Sequence, residues 1–259
     1  MDRKLIYGIA IVIIVAGAGV FLYLNGSAGP NLNSYLNQPV AQAQMTALQS
    51  IAANSTLANG VGAGLVGSPP SKTNSTVILM LSGKPAVVYI GADYCPYCAI
   101  TRWGLIIALM RFGNFGSLHY MTSDPSDAFP NTPTFTFYNS SYSSSYISFL
   151  SAEIENRTQA PLQQLDPLEN SAALAYDPGG GIPFIDFGNM STQAGIPPSI
   201  SPGFLKGLDW NQIISQIKDQ NSSISQSVIG QANIFTAQVC KIDNNTPASV
   251  CSQPYAKVR

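Results

Sequence analysis

The amino-acid sequence predicts an α/β protein in which a sheet is flanked by helices, with an N-terminal transmembrane helix and a helical C-terminal extension. Three observations predict this class. An uncharged apolar run covers residues 5–24, strand-like and helix-like segments alternate from residue 40 onward, and a long helical pattern covers residues 223–240. Segments with strand periodicity and helix periodicity that follow one another indicate a sheet packed against helices.

The first predicted element is a membrane helix over residues 5–24. The run contains no charged residue and has the length, about 20 residues, that crosses the hydrocarbon core of a bilayer. Arg3 and Lys4 precede it, and the next basic residue is Lys72. By the positive-inside rule, residues 1–4 are expected in the cytoplasm and the remaining chain outside it. The expected location is the cell membrane, with a single span and an extracytoplasmic C-terminal domain.

Two other interpretations of this run stay open. A cleaved signal peptide would use the small residues at 25–29, although its apolar region is typically about 7–15 residues long. A buried core helix would lack any polar face. The predicted organisation is a cytoplasmic N-terminus (1–4), a transmembrane anchor (5–24), a tether (25–39), a main domain (40–242) and a C-terminal tail held by a disulfide (243–259).

The composition argues against one class of function. Only 10% of the 259 residues are Asp, Glu, Lys or Arg, and the 12 basic and 13 acidic residues leave a formal net charge of -1. Binding of nucleic acid requires a surplus of Lys and Arg that neutralises phosphates. We therefore expect no nucleic-acid partner. The hydrophobic content of 46% is sufficient for a buried core.

The elements of the main domain follow from periodicity and from turn and cap residues. Segment 86–91 is apolar on both faces, as in a central strand, and 135–138 with 146–149 suggests a hairpin around a Ser-rich turn. Asp209 is placed to cap a helix. The predicted helices cover 40–53, a segment that begins at the cysteine pair 95/98 and ends at 112, 163–176, 209–218 and 223–240. The predicted strands cover 77–81, 86–91, 118–122, 135–138, 146–149 and 182–187.

Four cysteines carry the reactive chemistry, and their spacing favours two local pairs. Cys95 and Cys98 lie between the strand 86–91 and the helix that follows it. Cys240 and Cys251 bracket a short loop near the C-terminus. At a helix N-terminus, unpaired N–H groups and the helix dipole favour a thiolate. Cys95 is therefore the expected nucleophile, and Cys98, one turn further along the same face, is the expected resolving thiol.

Each pair leaves an alternative open. All four thiolates could form a structural zinc site, and the first pair could form an inert structural disulfide. The second pair could be a second redox centre, but no strand-to-helix turn presents it. The simpler interpretation of Cys240 and Cys251 is a structural disulfide that ties the tail to the last long helix. No metal site is assigned.

These residues resemble the thioredoxin superfamily, and the resemblance implies that residues 40–242 form a thioredoxin-like domain, a central mixed sheet flanked by helices. The resemblance rests on the strand 86–91, on the Cys-Pro-Tyr-Cys motif at 95–98 and on the segment 181–184, which is similar to the cis-proline loop of that superfamily. The dipeptide Pro96-Tyr97 is the one found in glutaredoxins. The chain departs from cytosolic thioredoxin because the strand before the motif has no charged residue.

A more specific resemblance is to the DUF929 family of membrane-anchored, thioredoxin-like proteins. It rests on residues 94–99 together with Arg102 and Trp103, on residues 130–135 and on the C-terminal segment 232–240. It extends from about residue 40 to residue 251. The substrates of this family are not established.

The resemblance implies a membrane-anchored, extracytoplasmic thiol–disulfide oxidoreductase that acts through Cys95 and Cys98 by mixed-disulfide exchange. The implied partners are protein thiols or disulfides as substrates, a redox partner of unknown identity, and the membrane through the N-terminal helix. The expected substrate-binding residues are Pro96, Tyr97, Ile182 and Pro183. No cofactor is implied. The alternative class is a non-enzymatic, disulfide-stabilised envelope protein that uses the same fold to bind a partner.

Overall fold

The computed structural model describes residues 31–258, and this part of the chain forms a mixed α/β structure with a six-stranded and a two-stranded sheet. The helices are α1 (Gln42–Ala53), α2 (Ser55–Val61), α3 (Pro96–Leu109), α4 (Pro167–Tyr176), α5 (Trp210–Lys218), α6 (Ser223–Ile242) and α7 (Ala248–Cys251). The strands are β1 (Ser71–Lys72), β2 (Met80–Leu81), β3 (Lys84–Gly91), β4 (Gly113–Thr122), β5 (Pro133–Ser144), β6 (Ser148–Glu153), β7 (Phe184–Phe187) and β8 (Ser191–Ala194). Short 3₁₀ helices occupy Leu32–Tyr35, Pro202–Leu205 and Pro254–Lys257.

Strand β3 is the centre of the larger sheet. It is buried from Ala86 to its end. β6 pairs with it in parallel, with Val87 opposite Phe149. On the other side β7 pairs with it in antiparallel orientation, with Val88 opposite Asp186. β8 pairs with β7, β1 pairs with β8, and β2 pairs with the start of β3. A strand enclosed on both faces has the uninterrupted apolar sequence that was expected here.

The smaller sheet corrects one prediction. Segments 135–138 and 146–149 were expected to form a hairpin, but β5 pairs with β4, and β6 pairs in parallel with β3. Alternating polarity identifies a strand but does not identify its partner. The tertiary structure chooses that partner, and beside β3 the end of β6, at Ala152 and Glu153, is buried.

Helices α3 and α6 pack against each other in the core. All residues of α3 except Tyr97 are buried, as is most of α6. Their close approach depends on Gly104, because a Cβ atom there would lie 2.8 Å from the Cβ of Gln231. A helix that is apolar on nearly every side is expected in a core. The prediction that the last long helix forms a C-terminal extension is therefore wrong, because α6 is part of the core.

Two helix starts show how local sequence determines element boundaries. Asp209 caps α5 through a capping box with Gln212, as its position predicted. α4 begins at Pro167 rather than at residue 163, because Asp166 forms a second capping box with Glu169.

The expectation of a membrane-spanning chain is corrected. Among the helices within residues 31–258, none is long and apolar enough to cross a membrane. The longest of them, α6, contains the buried polar residues Gln231, Asn233 and Gln238. The predicted anchor, 5–24, lies outside the described residues. The described residues thus contain no transmembrane helix, and this finding contradicts the predicted single-pass, extracytoplasmic location.

Candidate functional site

Cys95 and Cys98 occupy the turn that connects the central strand to the buried helix α3. β3 ends at Gly91, and Cys95 is the N-cap residue of α3, with extended backbone at φ −76° and ψ 118°. Pro96 takes the first helical position, where no amide donor is required. The sulfur of Cys95 accepts a hydrogen bond from the backbone N–H of Cys98, with 3.2 Å between N and Sγ. The structure therefore places the pair at a strand-to-helix turn.

The two thiols differ in their environment. Cys95 is 4% exposed and Cys98 is 0% exposed, and both are free thiols. The pKa of Cys95 is lowered, first by the hydrogen bond from the Cys98 side chain, and also by backbone N–H groups and by Arg102, which together outweigh its burial. Burial raises the pKa of Cys98 well above its ordinary value. The site therefore favours a thiolate at Cys95 and a neutral thiol at Cys98.

Apolar residues from separate segments surround the pair. Tyr94, Ile154 and Ile182 pack against a buried cluster that contains both cysteines. Ile154 directly follows β6, and Ile182 directly precedes Pro183. The Ile182–Pro183 peptide bond is cis, the isomer that the sequence predicted. The tertiary structure thus brings the predicted proline loop to the cysteine pair.

The four predicted substrate-binding residues differ in accessibility. Tyr97 is 40% exposed, and its ring meets Phe129 edge-on with 6.0 Å between the ring centroids. Ile182 is partly accessible, whereas Pro96 and Pro183 are buried. Tyr97 and Ile182 are therefore the members of this set that offer accessible surface near the pair.

A buried ion pair lies one helical turn beyond Cys98. Arg102 Nε donates to Glu153 Oε1 at 2.9 Å and Arg102 Nη2 donates to Glu153 Oε2 at 2.5 Å. Arg102 Nη2 also donates to the carbonyl oxygen of Ala92 at 2.6 Å, and lies 3.9 Å from Asp93 Oδ1. One guanidinium thus links the segment that precedes Cys95 to the end of β6.

This charged cluster contributes to the electrostatic field at the thiols. Burial raises the pKa of Asp93 and of Glu153, and Arg102 opposes both increases. Burial also raises the pKa of Tyr89 well above its usual range, so its phenol is neutral. Arg102 is consequently the fixed positive charge beneath the pair, and it favours a thiolate at Cys95.

Sequence reasoning did not assign Arg102 and Glu153 to the site. Arg102 was named only as part of the resemblance to the DUF929 family, although its position in the sequence already indicated a role near the cysteines. It lies four residues after Cys98, on the same helix face, and a cation inside an apolar helix requires a partner. Glu153 offers no comparable signal, because nothing local indicates that the end of β6 lies beside α3.

The second cysteine pair is a disulfide that joins Cys240 of α6 to Cys251 of α7, with 5.6 Å between the Cα atoms. These two sulfur atoms are bonded to each other, so the four-thiolate zinc site is not formed. Within residues 31–258, no group of three or more His, Cys, Asp or Glu side chains converges on a possible metal position. The disulfide holds the tail against α6, as expected.

Fold and site together define a mixed α/β protein with a dithiol at the start of a buried helix. Residues 73–175 match the family described as Domain of unknown function (DUF929). The match covers less than half of the chain, and it includes Cys95, Cys98, Arg102 and Glu153. The comparisons found no match among curated proteins or solved structures. The family match assigns no activity to this segment.

Proposed function

We propose that the protein is a thioredoxin-like thiol–disulfide oxidoreductase in which Cys95 is the nucleophile and Cys98 is the resolving thiol. The observation that carries this proposal is the 3.2 Å hydrogen bond from the Cys98 N–H to Cys95 Sγ at the N-terminus of α3. Amide donors and the positive end of a helix dipole stabilise a thiolate at such a position. The lowered pKa of Cys95 and the raised pKa of Cys98 agree with this assignment.

The reaction is a two-step exchange of disulfide bonds. The Cys95 thiolate attacks one sulfur of a substrate disulfide, forms a mixed disulfide and releases a substrate thiolate. The Cys98 sulfur then attacks Cys95 Sγ and displaces the second substrate thiolate, while the Cys98 proton passes to a released thiolate. The substrate disulfide is reduced to thiols and the cysteine pair is oxidised to a disulfide. Oxidation of a substrate dithiol is the reverse sequence.

The strand arrangement supports a thioredoxin-like assignment. The order β8-β7-β3-β6 places the strand that leads to Cys95 at the centre, with β6 parallel to it and β7 antiparallel. The cis-proline segment enters β7, next to that central strand. Ile182 of this segment packs against the pair, which is where a substrate-binding loop is needed.

One observation favours the alternative function, a non-enzymatic protein that binds a partner. Cys95 is only 4% exposed, so a bulky disulfide requires displacement of the side chains around it. On this alternative both free thiols are structural and unreactive in the folded protein.

Trapping of the mixed disulfide distinguishes the two functions. The reduced full chain is incubated with a protein disulfide such as insulin, and adducts are separated without reductant. We expect Cys98→Ser to accumulate a mixed disulfide at Cys95, because the resolving thiol is absent, and Cys95→Ser to accumulate none. The double variant Cys240→Ala/Cys251→Ala is the matched control and should behave as the unmodified protein does.

The outcomes separate clearly. Adducts in Cys98→Ser alone support the proposed roles, and adducts only in Cys95→Ser reverse them. If neither variant forms adducts while the reduced protein stays folded, the oxidoreductase proposal is wrong and the binding protein is favoured.

A further inference from the structure

Three loop segments lie next to the cysteine pair, and we call them together the mouth. These segments are residues 123–132, 154–163 and 177–183. The first is joined to the site by a hydrogen bond of 2.9 Å from Asp124 N to the carbonyl oxygen of Tyr94. The other two contribute Ile154 and Ile182, which pack against the cysteines. All three segments therefore lie beside the cysteine pair.

Carboxylates dominate the charge of the mouth. Its Asp, Glu, Lys and Arg residues are Asp124, Asp127, Glu155, Arg157 and Asp177. Glu155 lies close to the pair, since its carbonyl oxygen accepts a hydrogen bond of 2.9 Å from Asp93 N, and Asp127 belongs to the segment that is hydrogen-bonded to Tyr94. In agreement, the pKa of Tyr94, raised first by burial, is raised further by Glu155 and Asp127. Asp177 lies beside the proline loop, with its carboxylate oxygens 3.6 and 3.7 Å from the position of a Cβ atom on Gly181.

The arginine of the mouth is engaged in holding the segments together. Arg157 Nε donates to Thr122 Oγ1 at 2.8 Å, and Arg157 Nη2 donates to Asn131 Oδ1 at 2.6 Å. Gln159 joins the same two segments by donating to Asp124 Oδ2 at 3.0 Å. The other cation near the site, Arg102, is 0% exposed and cannot contact a substrate. Because Thr122 and Asn131 are neutral, Arg157 keeps its positive charge, and the mouth carries four carboxylates against this one guanidinium.

The accessible surface next to Cys95 is apolar. Tyr97 is exposed, and Tyr94, Ile154 and Ile182 are partly exposed. These side chains can contact aliphatic or aromatic neighbours of a substrate cysteine. The mouth, together with the neighbouring Tyr94 and Tyr97, thus combines apolar contacts with negative charge.

We propose that the mouth selects a disulfide or thiol carried by a peptide segment with apolar neighbours and no net negative charge, and that it disfavours anionic thiols such as glutathione. This inference rests on the proposed oxidoreductase function and specifies its substrate class. Carboxylates repel an anionic substrate during the encounter and in the mixed disulfide. The bonds that form and break are those of the exchange described above. The mouth therefore discriminates between substrates by the residues that flank the substrate cysteine.

The test uses the reduced full chain and three peptide disulfides that differ only in the residues that flank the cysteine. The flanking residues are both Leu, both Lys or both Glu, and oxidised glutathione is a fourth probe. For each probe, the rate at which it oxidises the cysteine pair is divided by the rate at which it oxidises free dithiothreitol. This corrected rate removes differences in the intrinsic reactivity of the probes. At low salt we expect the Leu peptide to react about tenfold faster, after this correction, than the Glu peptide and glutathione, and the Lys peptide, which lacks apolar neighbours, to react at an intermediate rate. The ratio should fall in 0.5 M salt, because exposed charges are then screened at roughly 4 Å.

Two variants assign the selectivity to the mouth. Glu155→Gln and Asp127→Asn keep the size of each side chain and remove its charge, and together they should raise the corrected rate with the Glu peptide severalfold. Asp219→Asn is the matched control, because Asp219 is the C-cap residue of α5 and lies outside the mouth. It should leave all ratios unchanged.

The possible failures are distinguishable. Equal corrected rates for all probes, or faster reaction with glutathione, overturn the substrate inference and leave the oxidoreductase function intact. Selectivity that survives the double variant also overturns the assignment to these carboxylates. No exchange with any peptide, while dithiothreitol still maintains a reduced and folded protein, rejects the function and the inference together.

Discussion

The guanidinium of Arg102 holds the carboxylate of Glu153 through two hydrogen bonds, from Nε to Oε1 at 2.9 Å and from Nη2 to Oε2 at 2.5 Å, and neither side chain is exposed. The ion pair joins the helix that carries Cys98 to the strand beside β3. Because each buried charge is stabilised by the other, removal of either one should lower the free energy of unfolding.

Substitution of Arg102→Met should strongly destabilise the fold. The variant leaves the Glu153 carboxylate buried without its cation, and breaking a buried pair in this way costs about 3–5 kcal/mol. Denaturant unfolding near neutral pH measures the change. The double variant Arg102→Met/Glu153→Leu removes both charges and should recover much of the loss. A single variant that is as stable as the unmodified protein would show that the pair contributes little.

Asp186 should make stability depend on pH. It is 0% exposed, and burial raises its pKa from 3.8 to about 6. An acid with a raised pKa in the folded state binds more protons when folded, so its contribution is present below its unfolded pKa and is lost as pH rises through about 6.

The neutral variant Asp186→Asn should therefore resemble the unmodified protein at acidic pH and exceed its stability by roughly 1–3 kcal/mol above neutral pH. The substitution keeps the oxygen that accepts a hydrogen bond of 2.8 Å from Asn189 N. Unfolding free energies across this pH range provide the measurement. A difference that does not change with pH would contradict the buried ionisation.

The hydrogen bond from Cys98 should stabilise the Cys95 thiolate. The Cys98 side chain is the largest cause of the lowered Cys95 pKa, so Cys98→Ala should raise that pKa and Cys98→Ser, which retains a donor, should raise it less. The ultraviolet absorbance of the thiolate across pH measures both shifts. Cys95→Ser should show no thiolate in the same range, because burial raises the pKa of Cys98. Identical titrations of the Ala and Ser variants would exclude the hydrogen bond as the cause.

Removal of the second disulfide should affect stability but not exchange. Cys240 and Cys251 are 11 residues apart, and closing a loop of this length stabilises a fold by about 3 kcal/mol in the chain-entropy model. Cys240→Ala/Cys251→Ala should accordingly melt at a lower temperature and retain its rate of disulfide exchange. Loss of exchange with unchanged melting would instead make this pair part of the redox pathway.

Local features of the site could be predicted from the sequence. A proline at the first helical position and a cysteine just before it specify the start of α3, because capping depends on residues within one turn. The apolar run of β3 likewise indicated a central strand. The two cysteines of the first pair could therefore be placed, relative to strand and helix, without tertiary information.

The membrane anchor and the hairpin illustrate two different limits. The anchor was inferred from an apolar run in residues 5–24, outside the described residues, and within residues 31–258 no helix can cross a membrane. The hairpin failed because alternating polarity is the same whichever strand lies alongside. The hairpin would pair β6 with β5, whereas in the structure β6 pairs with β3.

The sequence by itself determined the position of Cys95 at a helix N-terminus, the N-cap of α5 and the proximity of Cys240 to Cys251, because these depend on residues close together in the chain. Only the tertiary structure decided that Arg102 meets Glu153, 51 residues away, and that separate loops with carboxylates lie next to the segment that carries the cysteines. The physical reason is that a buried charge takes its partner from whichever strand packs beside it. That choice depends on the burial of whole strand and helix faces, which no local pattern records.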